Sequence, residues 1–136
     1  MSDQITKVAV AIFIRKDNKI LMGKRLSKVG YGTWGLPGGH LEYNEHIEAA
    51  AHRELMEETG LKADLKLINI TNDPRNGQHY IHFVFEGMNI QGEVQLKEPH
   101  ACEKWEYFDV TDLPKDLFYG QEKFLHAVLE GRFFKD

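Results

Sequence analysis

Cysteine is nearly absent from this chain, because Cys102 is the only cysteine among its 136 residues. An intramolecular disulfide is therefore impossible, and we expect a protein that is not secreted. Long hydrophobic runs are also missing. The apolar run near the N-terminus, Val8 to Ile14, has only seven residues, which is too short for a membrane span, and it lacks the layout of a signal peptide. We expect a cytoplasmic protein without a membrane segment.

An excess of positive charge is absent as well. Seventeen Lys and Arg residues stand against 21 Asp and Glu residues, which gives a net charge of −4. This balance argues against a nucleic-acid polymer as partner, but not against a nucleotide, whose charge a bound metal and a few basic residues can meet. The length fits one domain with a sizeable core. Because no repeat, low-complexity tract or linker divides the chain, we expect a single domain over residues 1–136.

Short apolar runs predict strands at residues 8–14, 19–24, 65–71 and 79–86, and around Trp105, Tyr107 and Val110. The first run is rich in β-branched residues and is typical of a strand buried on both faces. A polar turn over residues 72–77 is expected to join the third and fourth strands. Helical spacing predicts helices over residues 44–59 and 121–130, the second ended by Gly131. This order indicates a mixed sheet with helices packed on it.

The first predicted helix has carboxylates where its apolar stripe should continue. We expect Asn44 as its N-cap and Gly60 as its C-cap residue. At helical spacing the stripe reaches three glutamates, Glu54, Glu57 and Glu58, which fall within an arc of roughly 100°. Neighbouring like charges repel, and the helix macrodipole disfavours anions near the C-terminal end. The pattern therefore calls for a cation nearby.

The order of glycine, glutamate and arginine around this helix forms a known motif. Residues 39–61 read GHLEYNEHIEAAAHRELMEETGL. Gly39, Glu45, Arg53 and the residues that follow to Gly60 match every defined position of the Nudix box. The chain resembles the Nudix hydrolases. Four segments outside the core of the box, residues 23–25, 36–42, 102–106 and 117–120, resemble the MutT-like branch with its human and plant nucleoside-triphosphate diphosphatases. The resemblance implies an α/β (α+β) fold, a Nudix-type α/β/α sandwich with a mixed β-sheet.

Clustered carboxylates without a convincing histidine or cysteine set favour a hard cation, with Mg²⁺ the best fit and Mn²⁺ a substitute. His79 and His82 are spaced i, i+3 on a strand and should point to opposite faces, which argues against zinc. The resemblance implies that Glu54, Glu57 and Glu58 bind the metal together with the carbonyl of Gly38. It assigns orienting or structural roles to Gly39, Glu45, Arg53 and Gly60.

The resemblance also implies that a metal-activated water attacks a phosphorus of a diphosphate bridge. A glutamate of the metal site, Glu54 or Glu57, would take part in catalysis, and members of the family differ over which residue is the general base. Outside the box the candidates are Glu98, Glu103 and Glu106. We select Glu103, because it precedes the strand that the resemblance places near the metals.

Several residues outside the box are candidates for contacts with the substrate. Arg25 is placed to grip a phosphate, although a solvated charge at the end of a strand is the alternative. His40 follows the double glycine and would contact phosphate or water. In the subgroup that the chain resembles, the glycine-rich loop and an aromatic segment flank the base, which here are Gly35, Leu36, Phe118, Tyr119 and Gly120. The aromatic residues could equally belong to the core.

We therefore expect hydrolysis of a nucleoside triphosphate, of CTP/dCTP or dGTP/oxidised-dGTP type, to the monophosphate and pyrophosphate. One alternative is a pyrophosphatase for a nucleoside diphosphate linked to another group, such as ADP-ribose or a sugar. Another is a nucleotide-binding sensor without catalysis. The intact set of Glu54, Glu57 and Glu58 argues against the sensor. The resemblance favours a homodimer.

Overall fold

Nine strands and two helices form the part of the chain that the structure, a computed structural model, describes, residues 4–136. Residues 1–3 of the predicted domain lie outside the described residues. The elements in chain order are β1 (Thr6–Phe13), β2 (Arg15–Lys16), β3 (Lys19–Arg25), β4 (Trp34–Gly35), β5 (Gly38–His40), α1 (Ile47–Thr59), β6 (Lys62–Arg75), β7 (Gln78–Gln91), β8 (Cys102–Asp109), α2 (Gln121–Leu129) and β9 (Phe134–Lys135). No helix within residues 4–136 is long and apolar enough to cross a membrane.

The strands pair in two sheets. The larger sheet has the order β5-β1-β7-β6-β9, in which β1 is parallel to β7 and β6 is parallel to β9, while the other pairs are antiparallel. In the smaller sheet β3 pairs with β2, β4 and β8, each antiparallel. The predicted mixed sheet is therefore confirmed.

The two helices pack on opposite faces of β1. Val10 and Ile12 belong to the core cluster that contains the buried side chains of α1. Ala11 and Phe13 point the other way and pack in a second cluster with Phe124 of α2. Because alternate residues of one strand face opposite sides, this arrangement buries both faces of β1, as its apolar sequence predicts. It confirms the α/β/α sandwich.

The first helix begins later than the sequence suggests. Its N-cap is His46, and Asn44 lies in the preceding turn with a positive φ of 65°. Asparagine tolerates this left-handed conformation, and Asn44 adopts it in the turn before the helix. The prediction of Asn44 as N-cap is therefore wrong. The other end agrees with the prediction, because Gly60 has φ 76° and its N–H donates to Met56 O.

The predicted polar turn over residues 72–77 is also wrong, because most of it belongs to β6. Residues 72–75 pair with β7, and only Asn76 and Gly77 form the connection, both with positive φ. Such a two-residue turn suits the twist of a hairpin. Side-chain bonds such as His79 Nε2 to Asn72 Oδ1, at 2.6 Å, explain polar residues in a strand. The hairpin is therefore long enough to reach the cleft described below. No local sequence pattern predicts the two-residue edge strand β9.

Candidate active site

A cleft of about 1230 Å³ lies between the two sheets and the start of α2. It gathers most of the residues that the sequence selected: Arg25, Gly35, Leu36, Gly38, Gly39, His40, Glu54, Glu58, Phe118 and Tyr119. Three residues expected at the site, Glu57, Glu103 and Gly120, do not line it. The cleft also contains basic residues, among them Lys7, Lys24 and Arg25.

An acidic wall of this cleft forms where β5 meets α1. Gly38 N–H donates to Glu58 Oε1 at 2.9 Å, which ties the strand to the helix. A Cβ on Gly39 would lie 2.6 Å from Glu54 Oε1, and one on Gly38 would collide with the Val10 carbonyl. Only glycine at these two positions allows the strand to approach both β1 and the carboxylates so closely. Steric contacts therefore explain why glycine occupies both positions 38 and 39.

Burial and mutual repulsion raise the pKa of the carboxyl groups in this wall. Burial is the main cause that brings the pKa of Glu58 to about 8, and the charges of Glu54 and Glu98 raise it further, while Gly38 N–H and Arg25 oppose the change. Burial also raises the pKa of Glu54, despite the opposing effect of Arg53. The raised pKa values indicate that the positive charge near these two carboxyl groups does not balance their negative charge when both are ionised.

This donor set fits a divalent cation. The groups are carboxylate oxygens that lack sufficient counter-charge, which is the environment a hard cation such as Mg²⁺ relieves. Among the described residues, no three carboxylate, imidazole or thiol groups converge as a ready-made metal centre. Mg²⁺ commonly keeps several waters and takes oxygens from a substrate's phosphates, so a partial set of protein ligands suits it.

Arg53 organises the glutamates of the motif. Its guanidinium donates to Glu45 through Nε at 2.8 Å and Nη2 at 3.0 Å, to Glu54 at 3.0 Å and to Glu57 at 3.3 Å. Nη2 also donates to the carbonyl of His40 at 3.2 Å. These bonds raise the pKa of Arg53 and lower that of Glu45. Arg53 therefore contacts three glutamates of the motif at once.

The structure does not bring Glu103 to the cleft. Between the pairs Gly23–Trp105 and Arg25–Cys102, strand β8 has one more residue than β3, which is a β-bulge. The bulge turns Cys102 and Trp105 toward the cleft and leaves Glu103 exposed. Glu103, which the sequence analysis selected as general base, therefore does not line the cleft. Of the candidates outside the motif, only Glu98 lines the cleft.

The side chain of Glu57 is half exposed and lies beside the cleft. Its contact within the protein is the bond from Arg53. Any contact of Glu57 with a metal would therefore be made from the solvent side of the helix.

The aromatic residues after β8 already have stacking partners. The guanidinium of Arg25 lies 3.7 Å from the centre of the Phe118 ring, and Gly30 packs so closely on that ring that a Cβ would lie 2.5 Å away. Arg75 lies 4.7 Å from the centre of the Tyr119 ring. The aromatic segment that is expected to flank a base therefore already has cation–π partners. These contacts also show that Arg25 is held in the cleft by packing, not free in solvent.

Histidines form part of the cleft, but not as cations. His40 Nε2 lies 2.9 Å from Tyr80 Oη, and partial burial together with Lys7 and Arg25 lowers the pKa of His40. Burial lowers the pKa of His82 to about 4, so both rings are neutral at pH 7. His79 does not line the cleft, so His79 and His82 do not share a site.

Sequence reasoning missed several residues of the cleft: Lys7, Asn76, Gln78, Tyr80 and Gln121. Lys7 shares a face of β1 with Ala9 and Ala11, which also line the cleft, so strand periodicity offered a signal. Asn76 and Gln78 reach the cleft because the hairpin of β6 and β7 is long. The polar residues near its end suggest a turn, so the sequence does not indicate this length. Gln121 is 92% buried at the start of a helix, and no local pattern indicates that.

The chain is similar to proteins of one known family. The family model of the NUDIX domain matches residues 5–128. The ADP-ribose pyrophosphatase of Methanocaldococcus jannaschii is 42% identical over 130 residues, which cover 92% of this chain and 74% of that protein. The oxidized purine nucleoside triphosphate hydrolase of Danio rerio is 36% identical over 120 residues, 86% of this chain and 75% of that protein.

A solved structure is similar as well. The MutT NUDIX hydrolase from Burkholderia pseudomallei superposes with a TM-score of 0.84 at 31% identity, covering 91% of this chain and 98% of that one. The chain spans only 31 to 39% of the length of three other curated relatives. Fold, site and relatives together define an enzyme that hydrolyses pyrophosphate bonds. The chain belongs to the Nudix hydrolase family.

Proposed function

We propose that this protein hydrolyses a nucleoside triphosphate, of CTP/dCTP or dGTP/oxidised-dGTP type, to the monophosphate and pyrophosphate in the presence of Mg²⁺. The observation that carries the proposal is a cleft in which an acidic wall, Glu54, Glu58 and Glu98, lies with basic residues that include Arg25 and Lys7. Its volume, about 1230 Å³, is ample for a nucleotide. The name of the zebrafish relative supports this substrate class.

The carboxylates of Glu54, Glu57 and Glu58 and the carbonyl of Gly38 would hold Mg²⁺, or Mn²⁺ in its place. When bound, such an ion neutralises charge on the phosphates and makes a nearby water more acidic. Arg53 keeps Glu54 and Glu57 in place through its bonds to both. Arg25, held over Phe118, is available to bind a phosphate oxygen in the cleft.

The chemical step needs a base for the attacking water. We propose Glu98 for this role, because it is the only candidate outside the motif that the structure places on the cleft. The water oxygen forms a bond to phosphorus, its proton passes to Glu98, and the bond from phosphorus to the bridging oxygen breaks. Arg25 would stabilise the negative charge that leaves with the pyrophosphate.

A matched pair of variants tests this assignment. Glu98→Gln is expected to lower kcat at least about a hundredfold, the range typical of general bases, while Glu103→Gln is expected to retain most activity. Both changes are isosteric and both residues are near the start of β8. A large loss in Glu103→Gln with a small loss in Glu98→Gln would reverse the assignment.

A second substrate class has specific support, a nucleoside diphosphate linked to another group. The relative at 42% identity is named ADP-ribose pyrophosphatase. Both classes share the reaction and differ in what lies beyond the diphosphate. A panel of CTP, dCTP, dGTP, oxidised dGTP, ADP-ribose and a nucleotide sugar, assayed with Mg²⁺, separates them. Pyrophosphate release from triphosphates supports the first proposal, turnover of ADP-ribose alone the second, and binding without turnover a sensor.

Assembly and domain organisation are also proposals. On the resemblance to the MutT-like branch we propose a homodimer and one domain that spans the chain. Light scattering of the purified protein would show the mass of a dimer, twice 15.7 kDa. The mass of a monomer across the micromolar range would reject the dimer.

A further inference from the structure

The ring of Phe118 is covered on one face by the side chain of Arg25. The guanidinium carbon lies 3.7 Å from the centre of the ring, well within the range of a cation–π contact. One edge of the ring, Cδ1 and Cε1, lies against Gly30, where a Cβ would approach to 2.5 Å. Because a base cannot stack on the face that the guanidinium occupies, Arg25 is the partner of that face.

Backbone hydrogen bonds hold both members of this contact. Phe118 N–H donates to Trp34 O at 2.7 Å, which joins the segment before α2 to strand β4. Arg25 N–H donates to Thr33 O at 2.8 Å, and Gly32 N–H donates to Arg25 O at 2.8 Å, so the loop after Arg25 returns to it. The position of the ring relative to the guanidinium is therefore set by the backbone as well as by the two side chains.

The hydrogen bonds of Arg25 leave part of its guanidinium for a ligand. Nε donates to the carbonyl of Val29 at 3.2 Å, and within residues 4–136 Nη1 and Nη2 donate no hydrogen bond. Arg25 lines the cleft together with Glu58, whose charge opposes the lowering of the pKa of Arg25 by burial. With Nε and one face held, the two outer nitrogens form a fork that matches two oxygens of a phosphate.

We propose that Phe118 is a positioning residue for the phosphates of the substrate and not a stacking partner of the base. Its ring and the Val29 carbonyl hold the guanidinium of Arg25 so that Nη1 and Nη2 meet oxygens of the pyrophosphate that leaves. Because every nucleoside triphosphate carries these phosphates, Phe118 contributes equally whatever base is bound. The proposal rests on the proposed hydrolysis of a nucleoside triphosphate.

A double-mutant cycle tests whether the two side chains act together. Phe118→Leu is expected to lower kcat/KM for the preferred nucleoside triphosphate about tenfold, which corresponds to about 1.4 kcal/mol. Phe118→Tyr keeps an aromatic face for the guanidinium and should stay within about threefold of wild type. In the Arg25→Ala background, Phe118→Leu should lower kcat/KM by less than about twofold, because the group that the ring positions is gone.

A substrate without a base separates this role from stacking. The triphosphate of 2-deoxyribose has the phosphates of a deoxynucleotide and no base on which a ring could stack. Phe118→Leu should lower kcat/KM for this compound by the same factor as for the nucleotide. Phe133→Leu makes the same change at an exposed position outside the cleft and should leave both values unchanged. If Phe118→Leu is too unstable to assay, Phe118→Met fills a similar volume without a ring and replaces it in each comparison.

The proposal is overturned if Phe118→Leu leaves kcat/KM unchanged, if the loss is limited to substrates with a base, or if it is equally large in the Arg25→Ala background. If wild type hydrolyses no triphosphate, the proposed function fails by itself, and calorimetry with inorganic pyrophosphate and Mg²⁺ then tests the contact. Binding about tenfold weaker in Phe118→Leu, with less than about twofold effect in the Arg25→Ala background, supports the proposal. Unchanged binding in Phe118→Leu, or no binding by wild type, overturns it.

Discussion

The charge of Glu58 should destabilise the metal-free protein at alkaline pH. Its pKa in the folded protein is about 8, against an ordinary value of 4.5, because the carboxyl group is buried beside Glu54 and Glu98. The difference corresponds to about 5 kcal/mol when the group is ionised in both the folded and the unfolded state. Rearrangement of the surroundings lowers this figure, so we expect a penalty of about 2 to 5 kcal/mol.

The penalty depends on pH in a definite direction. Below pH 4.5 the group is protonated in both states and the penalty is absent. As pH rises from 4.5 to about 8, the unfolded state loses its proton first, so the folded state becomes less stable relative to it. Above about pH 8 the loss is complete. At pH 5 the penalty should be less than about 1 kcal/mol.

Glu58→Gln removes this charge and keeps an oxygen for the Gly38 N–H bond. In EDTA at pH 9, we expect the free energy of unfolding of the variant to exceed that of wild type by about 2 to 5 kcal/mol, with little difference at pH 5. We expect the variant to lose most of its activity. Urea unfolding at both values of pH measures the two differences. Glu57→Gln is the matched control, because Glu57 is half exposed, and its stability should change by no more than about 0.5 kcal/mol.

Mg²⁺ should also raise the stability of wild type more at pH 9 than at pH 5, and this dependence should be weak in Glu58→Gln. The reasoning is refuted if Glu58→Gln is less stable than wild type at pH 9. An equal gain at pH 5 and pH 9 would also refute it, because a gain independent of pH does not arise from the titration of Glu58.

Three other substitutions follow from the packing of the site. Gly39→Ala places a Cβ 2.6 Å from the Glu54 carboxylate, which can shift, so we expect a folded protein with at least about tenfold lower kcat; normal activity would contradict the steric account. Gly120→Ala has a φ of 84° and a Cβ 2.8 Å from buried Asp73, so urea unfolding should show a loss of about 1 to 3 kcal/mol, and no loss would be inconsistent with the described backbone. In Arg53→Lys the side chain cannot bond Glu45, Glu54 and Glu57 together. Titration of activity with Mg²⁺ should therefore show weaker binding of Mg²⁺ and a loss of kcat of about tenfold or more. Wild-type behaviour would reject the orienting role.

Local sequence patterns predicted the parts of the fold that depend on local rules. The apolar run from Val8 to Ile14 predicted a strand buried on both faces, and β1 has helices on both sides. Gly60 ends α1 in the left-handed conformation that glycine favours. The spacing of the glutamates on α1 predicts repulsion between their charges, and the pKa of Glu58 is raised mainly by burial and further by the charges of Glu54 and Glu98.

The remaining errors concern features that neighbours determine. Glu103 and Glu98 carry the same carboxyl group, and of the two Glu98 lines the cleft, while Glu103 lies exposed in the bulged part of β8. In the 72–75 segment Asn72 bonds His79 across the hairpin and Arg75 donates to Asp73 within the strand, so the polar composition that suggests a turn is accommodated in a strand. The bond from Leu36 to Gln121 joins residues 85 positions apart, which no local pattern encodes.

The products of the reaction test the central claim most directly. Phosphorus NMR of wild-type enzyme with dGTP and dCTP, with Mg²⁺ and with EDTA, distinguishes the bond that is cleaved. We expect the nucleoside monophosphate and pyrophosphate with Mg²⁺ and no turnover in EDTA. Release of orthophosphate with the nucleoside diphosphate, or turnover that is unaffected by EDTA, would contradict the account.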